Sequence, residues 1–118
     1  MDYAKERKQF GRPIGEFQVI KHMLADMDTA ANAARLLTYS AAWQLENGNG
    51  TIKDVSEAKL FATESLQTIT TNAMQIFGGY GQVAEYHVER LFRVAKLSTI
   101  GGGSSQMQRS IIGKSLGL

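Results

Sequence analysis

Cysteine is missing from all 118 residues. Its absence excludes disulfides, thiolate metal sites and cysteine nucleophiles, and it matches the composition expected of a cytoplasmic protein. Proline occurs once, at Pro13, so nothing breaks the long helical patterns that follow it. No run of about 18 apolar residues is present, so no helical membrane span is predicted. The opening Met1-Asp2-Tyr3-Ala4-Lys5-Glu6-Arg7-Lys8 lacks the apolar core of a signal peptide. A net charge of +2 is too small to point to nucleic acid. What remains is 43% hydrophobic and 20% charged residues, the make-up of a globular core. The length fits a single domain over residues 1–118, or part of a larger protein.

The apolar periodicity is helical throughout. Tyr3 to Phe10 reads as the last turns of a helix closed by Gly11, which implies that the natural protein continues upstream of Met1. Residues 11–15 form a loop by composition. From Glu16 to Leu45, apolar residues such as Val19, Ile20, Met23, Leu24 and Met27 recur at spacings of three and four, predicting one long amphipathic helix. At about 30 residues it is roughly 45 Å long, which points to a bundle. Asn47-Gly48-Asn49-Gly50 ends it, and Asp54 with Glu57 reads as a capping box opening a second long helix. Gly78-Gly79-Tyr80-Gly81 stops the second helix. A third runs from Ala84 to Leu97, and a fourth ends near Leu116 after the glycines at 101–103. No alternating pattern predicts a strand. The expected fold is all-α, an up-and-down bundle of the four-helix type with an N-terminal stub. Its narrow apolar stripes imply a face to be covered by an upstream helix or a partner subunit.

Three helix ends carry chemistry. Arg7-Lys8-Gln9-Phe10-Gly11 joins cations, an amide and an aromatic ring before a turn, a set suited to a diphosphate beside a planar ring. Gln75-Ile76-Phe77-Gly78-Gly79 offers an amide and open backbone at a helix C-terminus. Ile100 to Arg109 runs three glycines into a helix start, with Ser105 as N-cap and Gln108 as its capping-box partner. Its free N–H groups and positive dipole end suit an anion, although the glycines alone suffice to make the turn. His22 stands one turn before Asp26 and can pair with it. No ligands converge with His22 or His87 to suggest a metal. Glu85 and Glu89 share a face but lack the Glu-x-x-His partners of a di-iron bundle.

Together these stretches resemble the C-terminal helical domain of the acyl-CoA dehydrogenase family. The resemblance covers nearly the whole chain. It rests on Glu6-Arg7-Lys8-Gln9-Phe10-Gly11-Arg12-Pro13-Ile14, Phe17-Gln18, Leu24-Ala25-Asp26-Met27 and Ala73-Met74-Gln75-Ile76-Phe77-Gly78-Gly79-Tyr80-Gly81. It continues through Glu85, Val88-Glu89-Arg90 and Gly103-Ser104-Ser105-Gln106-Met107-Gln108-Arg109. The family implies FAD as cofactor and oxidation of an acyl-CoA to the trans-2-enoyl-CoA. It also implies electron transfer to an electron-transferring flavoprotein and a homotetrameric assembly. A complete subunit adds an α-helical N-terminal domain and a middle β-domain.

By the same resemblance, Arg7, Gln9 and Phe10, with Gln18 nearby, hold the diphosphate and adenine end of FAD. Gln75, Gly78 and Gly79 contact the adenosine and diphosphate, typically of a neighbouring subunit's flavin. Ser104 and Gln106 contact the flavin of their own subunit, and Gly103 lies near the acyl-CoA. Three positions depart from the family pattern. His87 stands for a usual proline, Val94 for a usual aspartate and Ser104 for a commoner threonine. A fourth departure bears on catalysis. Many members carry the catalytic glutamate where this chain has Gly102, and glycine cannot abstract a proton. Two readings stay open: a base on the helix upstream of Tyr3, or a non-catalytic partner or assembly subunit in a mixed complex whose other subunit does the chemistry. The isolated chain is expected neither to bind FAD tightly nor to turn over acyl-CoA.

Overall fold

The computed structural model describes residues 1–118. Five α-helices follow in order: α1 (Asp2–Glu6), α2 (Gln18–Glu46), α3 (Ile52–Phe77), α4 (Val88–Ser98) and α5 (Ser105–Ser115). α2 and α3 form a long hairpin, and α3 is the central element, packing on α2, α4 and α5. The bundle is elongated, 56 × 25 × 22 Å, as the periodicity predicts. No helix is long and apolar enough to cross a membrane.

The hairpin turn follows from local sterics. Gly48 takes a φ of +73°, and Gly50 folds back so tightly that a Cβ there would lie 2.7 Å from the Leu45 backbone nitrogen. The chain leaves this turn extended at Thr51, which caps α3. The Thr51 hydroxyl accepts from the Asp54 N–H at 3.3 Å, while the Asp54 carboxylate accepts from the Thr51 N–H at 2.8 Å. The capping box is therefore Thr51–Asp54, not Asp54–Glu57, because the tight turn lets the helix start earlier. Glu57 instead pairs with Lys53 at 3.0 Å.

Both ends of the chain differ from the sequence expectation. α1 stops at Glu6 rather than Phe10, and a short hairpin follows. Its strands β1 (Lys8–Gln9) and β2 (Arg12–Pro13) pair Lys8 with Pro13 and Gln9 with Arg12. Phe10 at φ +51° and Gly11 at φ +80° make the two-residue turn. Two positive φ angles in succession match the right-handed twist of paired strands. Gly11 thus closes a hairpin, not a helix. At the other end, the N-cap of α5 is Ser104, whose hydroxyl accepts from the Met107 N–H at 3.3 Å. Ser105 is the first helical residue and is buried. Gln108 does not complete a capping box but donates its amide to the carbonyls of Gly102 and Gly103. The third helix expected from sequence, Ala84 to Leu97, also starts later than expected. Two 3-10 turns, Gly78–Gln82 and Ala84–Tyr86, lead to His87, and α4 begins at Val88. His87 has a φ of +55°, which a proline ring cannot adopt. Histidine in the family's proline position is therefore compatible with this backbone. His22 and Asp26 are exposed and form no ion pair.

Only 12 of 118 residues are buried, so much apolar surface stays open in the chain by itself. Leu36, Tyr39 and Trp43 on α2 and Leu91, Val94 and Leu97 on α4 are exposed. The densest apolar cluster lies at one end of the bundle. There Ala4, Ile14 and Ile76 are buried beneath Tyr3, Phe17, Ile20 and Met23. This cluster ties α1 and the hairpin to α2 and α3, and it floors a hollow above.

Candidate functional site

The hollow measures about 490 Å³ and opens at the C-terminal end of α3. Arg7, Gln9, Phe77, Gly78, Gly79 and Tyr80 line it, with Ile14 and Ile76 below. Two clusters that are 60 to 70 residues apart in sequence thus meet in one place. Aromatic packing holds them. Tyr3 stacks on Phe77 with ring centroids 4.1 Å apart and planes at 11°, and its hydroxyl donates to the Phe77 carbonyl at 3.4 Å. Tyr86 adds edge contacts to Tyr3, Phe77 and Tyr80. The Arg7 guanidinium lies 5.2 Å from the Tyr80 ring centre, held at the rim by the electron-rich face. Gly78, at φ +58°, and Gly79 present bare backbone, since a Cβ at either would meet nothing within 4 Å. A ligand can therefore approach their peptide groups directly.

The other predicted residues distribute around this hollow unevenly. Phe10 is 92% exposed at the hairpin tip and lines an adjoining depression with Gln9, Phe17 and Ile20. Gln75 and Gln18 are exposed and line neither. Sequence reasoning missed Tyr3 and Tyr80 as builders of this site. Their signal was only an aromatic within one helical turn of each cluster.

Ile100 to Arg109 forms a second site, not a third wall of the first. At the usual rise per residue, roughly 14 Å of α3 separates Thr68 at the second hollow from Phe77 at the first, and roughly 27 Å separates Phe77 from Lys59 beside the glycine loop. Gly102 and Gly103 have φ of +65° and +93°. At Gly103 the positive φ favours glycine, and a Cβ would also approach Gln108 Nε2 to 2.7 Å and displace that amide. The N–H groups of Gly102, Gly103 and Ser104 have no partner within the chain. Ser105 and Gln106 line a polar hollow of about 460 Å³ together with Gln67, Thr68, Lys96 and Thr99. Within it the buried Ser105 Oγ and Gln67 Oε1 have no hydrogen-bond partner. Arg109 anchors α5 to α3 through an ion pair with Glu64 at 2.6 Å. That guanidinium holds the Glu64 carboxyl below its ordinary value. Lys59, also missed from sequence, donates to the Gly103 carbonyl at 2.7 Å. Glu85 lies outside α4, and Glu89 pairs with Arg93 at 2.9 Å, so the two carboxylates do not act together. No group of three histidine or carboxylate side chains is placed to hold a metal.

Residues 1–117 match the family description "Acyl-CoA dehydrogenase, C-terminal domain". The chain belongs to the acyl-CoA dehydrogenase family. Within that family it is 48% identical over 110 residues to the caffeyl-CoA reductase-Etf complex subunit CarC of Acetobacterium woodii, covering 93% of this chain and 29% of that protein. The solved butyryl-CoA dehydrogenase of Megasphaera elsdenii superposes with a TM-score of 0.95 at 42% identity, over 98% of this chain and 30% of that one. An FAD complex of PigA superposes with a TM-score of 0.95 at 33% identity, over 99% and 30% respectively. The chain thus spans about 30% of the length of these relatives.

Members of the acyl-CoA dehydrogenase family are flavoproteins, and the two sites fit such a group. The first combines the guanidinium and amide donors that suit a diphosphate with glycine backbone open to close approach, the Gly78 N–H itself being spent on the Met74 and Gln75 carbonyls. The second pairs unsatisfied N–H groups with a buried hydroxyl that lacks a partner. Such a hydroxyl is costly unless water or a ligand completes it.

Proposed function

We propose that this domain serves an FAD-dependent acyl-CoA dehydrogenase that oxidises an acyl-CoA to the trans-2-enoyl-CoA. The observation that carries the proposal is the convergence of Arg7, Gln9, Gly78 and Gly79 on one hollow. In this reading Arg7 and Gln9 bind the diphosphate while Gly78 and Gly79 let it reach the backbone. Gln75, Gln18 and Phe10 flank the adenosine. Ser104 and Gln106 bind at the second site, and Gly103 lies against the acyl-CoA. The separation of the two sites supports service to two different flavins, one in the same subunit and one in a neighbour, within a homotetramer. A flavin at such a site supplies a hydride acceptor. The proton must go elsewhere than residue 102, because Gly102 has no side chain to take it. The base then belongs to a segment outside residues 1–118, electrons leave to an electron-transferring flavoprotein, and the compartment is the cytoplasm.

The test is to purify the full-length protein that contains this domain. Stoichiometric FAD absorbance that bleaches on adding acyl-CoA is expected. A protein without flavin, or one whose flavin no acyl-CoA reduces, overturns the proposal. The isolated chain lacks most of a flavin's enclosure, so equilibrium dialysis should show no micromolar FAD binding and no turnover. Gly102 also favours a second reading, a subunit that binds but does not catalyse. Co-purification with a homologous subunit, and loss of turnover on removing it, would select that reading.

A further inference from the structure

Lys59 sits in the first half of α3, away from either end of the helix. Its side chain is partly buried and leaves the helix to reach two backbone oxygens. The Nζ donates to the Ser98 carbonyl at 3.3 Å and to the Gly103 carbonyl at 2.7 Å. The stem passes under the glycine turn, since a Cβ at Gly102 would stand 3.6 Å from Lys59 Cε. No carboxylate claims this ammonium. The ion pairs of the chain are Lys53–Glu57, Arg93–Glu89 and Arg109–Glu64. Two of its three donors therefore go to the last residue of α4 and to the loop before α5.

The two contacts do different things. At Ser98 a cation satisfies a carbonyl at the negative end of a helix, which is a structural service. At Gly103 the contact sets a peptide plane. The chain has no cis peptide bonds, and across a trans peptide the carbonyl and the next N–H point in opposite directions. Pulling the Gly103 oxygen toward Lys59 therefore turns the Ser104 N–H away from α3. Gln108 Nε2 reinforces the same plane at 3.2 Å. The N–H groups of Gly102, Gly103 and Ser104 have no partner, nor does that of Gln106 in the first turn of α5. With glycine at 101, 102 and 103 the loop has little stiffness of its own. A flexible triplet flanked by a fixed carbonyl needs an outside anchor, and Lys59 supplies one.

We propose that Lys59 is a positioning residue. It fixes the orientation of Gly102–Ser104 so that their free N–H groups meet the acyl thioester and flavin in one geometry. This rests on the function proposed above. Lys59 touches neither ligand in that scheme and acts through the loop.

The test uses the full-length holoprotein with Lys59→Met, Lys59→Arg and, as a surface control on the same helix, Lys53→Met. Two quantities are read: the rate and substrate dependence of flavin bleaching by acyl-CoA, and amide hydrogen exchange over residues 98–105. In Lys59→Met, bleaching should slow by about 100-fold while the half-saturating substrate concentration moves less than about threefold, the signature of lost orientation rather than lost binding. Exchange at Gly101 and Ser105, whose N–H groups donate to the Leu97 and Thr99 carbonyls, should rise about tenfold or more, with α2 unchanged. Lys59→Arg should recover most of the rate, and Lys53→Met should match the unaltered protein. An unaltered rate, or unaltered exchange at the loop, in Lys59→Met overturns the proposal. Should Lys59→Met fail to fold, Lys59→Arg against Lys59→Gln decides, and equal rates for the two overturn it. If the unaltered holoprotein is not bleached at all, the proposed function falls, and loop exchange alone then decides whether Lys59 holds the loop.

Discussion

At the C-terminal end of α3, Tyr3 stacks on Phe77, Tyr86 closes on both, and Arg7 rests on Tyr80. Near the other end, Lys59 and Gln108 grip the carbonyls of a glycine loop, and Arg109 crosses to Glu64. The first site is shaped by side-chain packing over a buried apolar cluster. The second is shaped by donors that hold backbone oxygens in place. The difference matters because packing answers to side-chain bulk, while a backbone clamp answers to the presence of a donor and to the positive φ of the glycine it holds.

The largest expected effect tests the packed site. Tyr3→Ala removes the ring at the centre of the stack and should cost about 3 kcal/mol of stability, read as a lowered urea midpoint. Tyr3→Phe keeps the ring and loses only the 3.4 Å contact to the Phe77 carbonyl. It should cost less than about 1 kcal/mol. If the two cost the same, packing does not hold this end. Next, Gly103→Ala tests the clamp. It combines a φ of +93° with a Cβ that displaces Gln108, so about 2 kcal/mol should be lost. The adjacent Gly101→Ala should be close to neutral, because there a Cβ meets only the Leu97 carbonyl at 3.5 Å. Equal losses for the two would show that the loop is not held at Gly103.

Two smaller effects sharpen the contrast. Tyr80→Leu removes the face under Arg7 while keeping apolar bulk. It should cost at most about 1 kcal/mol and weaken FAD binding by the full-length protein more than stability. Flavin content after dialysis measures this. The smallest effect belongs to Glu64. Arg109 lowers its pKa from the ordinary 4.5. A depressed carboxyl stabilises the fold above its unfolded pKa, and that contribution is lost as pH falls through the lowered value. The pair is well exposed, so Glu64→Gln should cost only about 0.2–1 kcal/mol at neutral pH. Melting curves at falling pH should bring variant and unaltered protein together as pH drops through that lowered value. A gap that widens in acid would show that the pair is not what joins α3 and α5.

Much of the fold was legible because helical periodicity and glycine punctuation are local signals. Ile20, Met23, Leu24 and Met27 fixed the face of α2, though Val19, expected on it, is exposed, and Asn47–Gly50 marked the end of the helix. The capping boxes were misread for one reason: a side chain can cap only where the chain already turns. Thr51 became the cap because Gly50 folds onto Leu45, and Ser104 because Gly103 turns in front of it. The two-residue hairpin was invisible because Phe10 is not a residue that advertises a positive φ. For the site, Arg7, Gln9, Gly78 and Gly79 were legible as chemistry, though not as neighbours. Lys59 carried no signal at all, because a lysine in a helix reads as a solvated side chain.

By itself the sequence determined that this chain is a helical bundle, that its two long helices part at Asn47–Gly50, and that residue 102 offers no base. Those facts depend on side-chain type and short-range spacing. Only the tertiary structure decided that Arg7 and Gly78 line one hollow, that the glycine loop lies elsewhere, and that Lys59 reaches the Gly103 carbonyl. Such pairings join residues tens of positions apart, and packing around α3, not the local chain, brings them within a few ångströms.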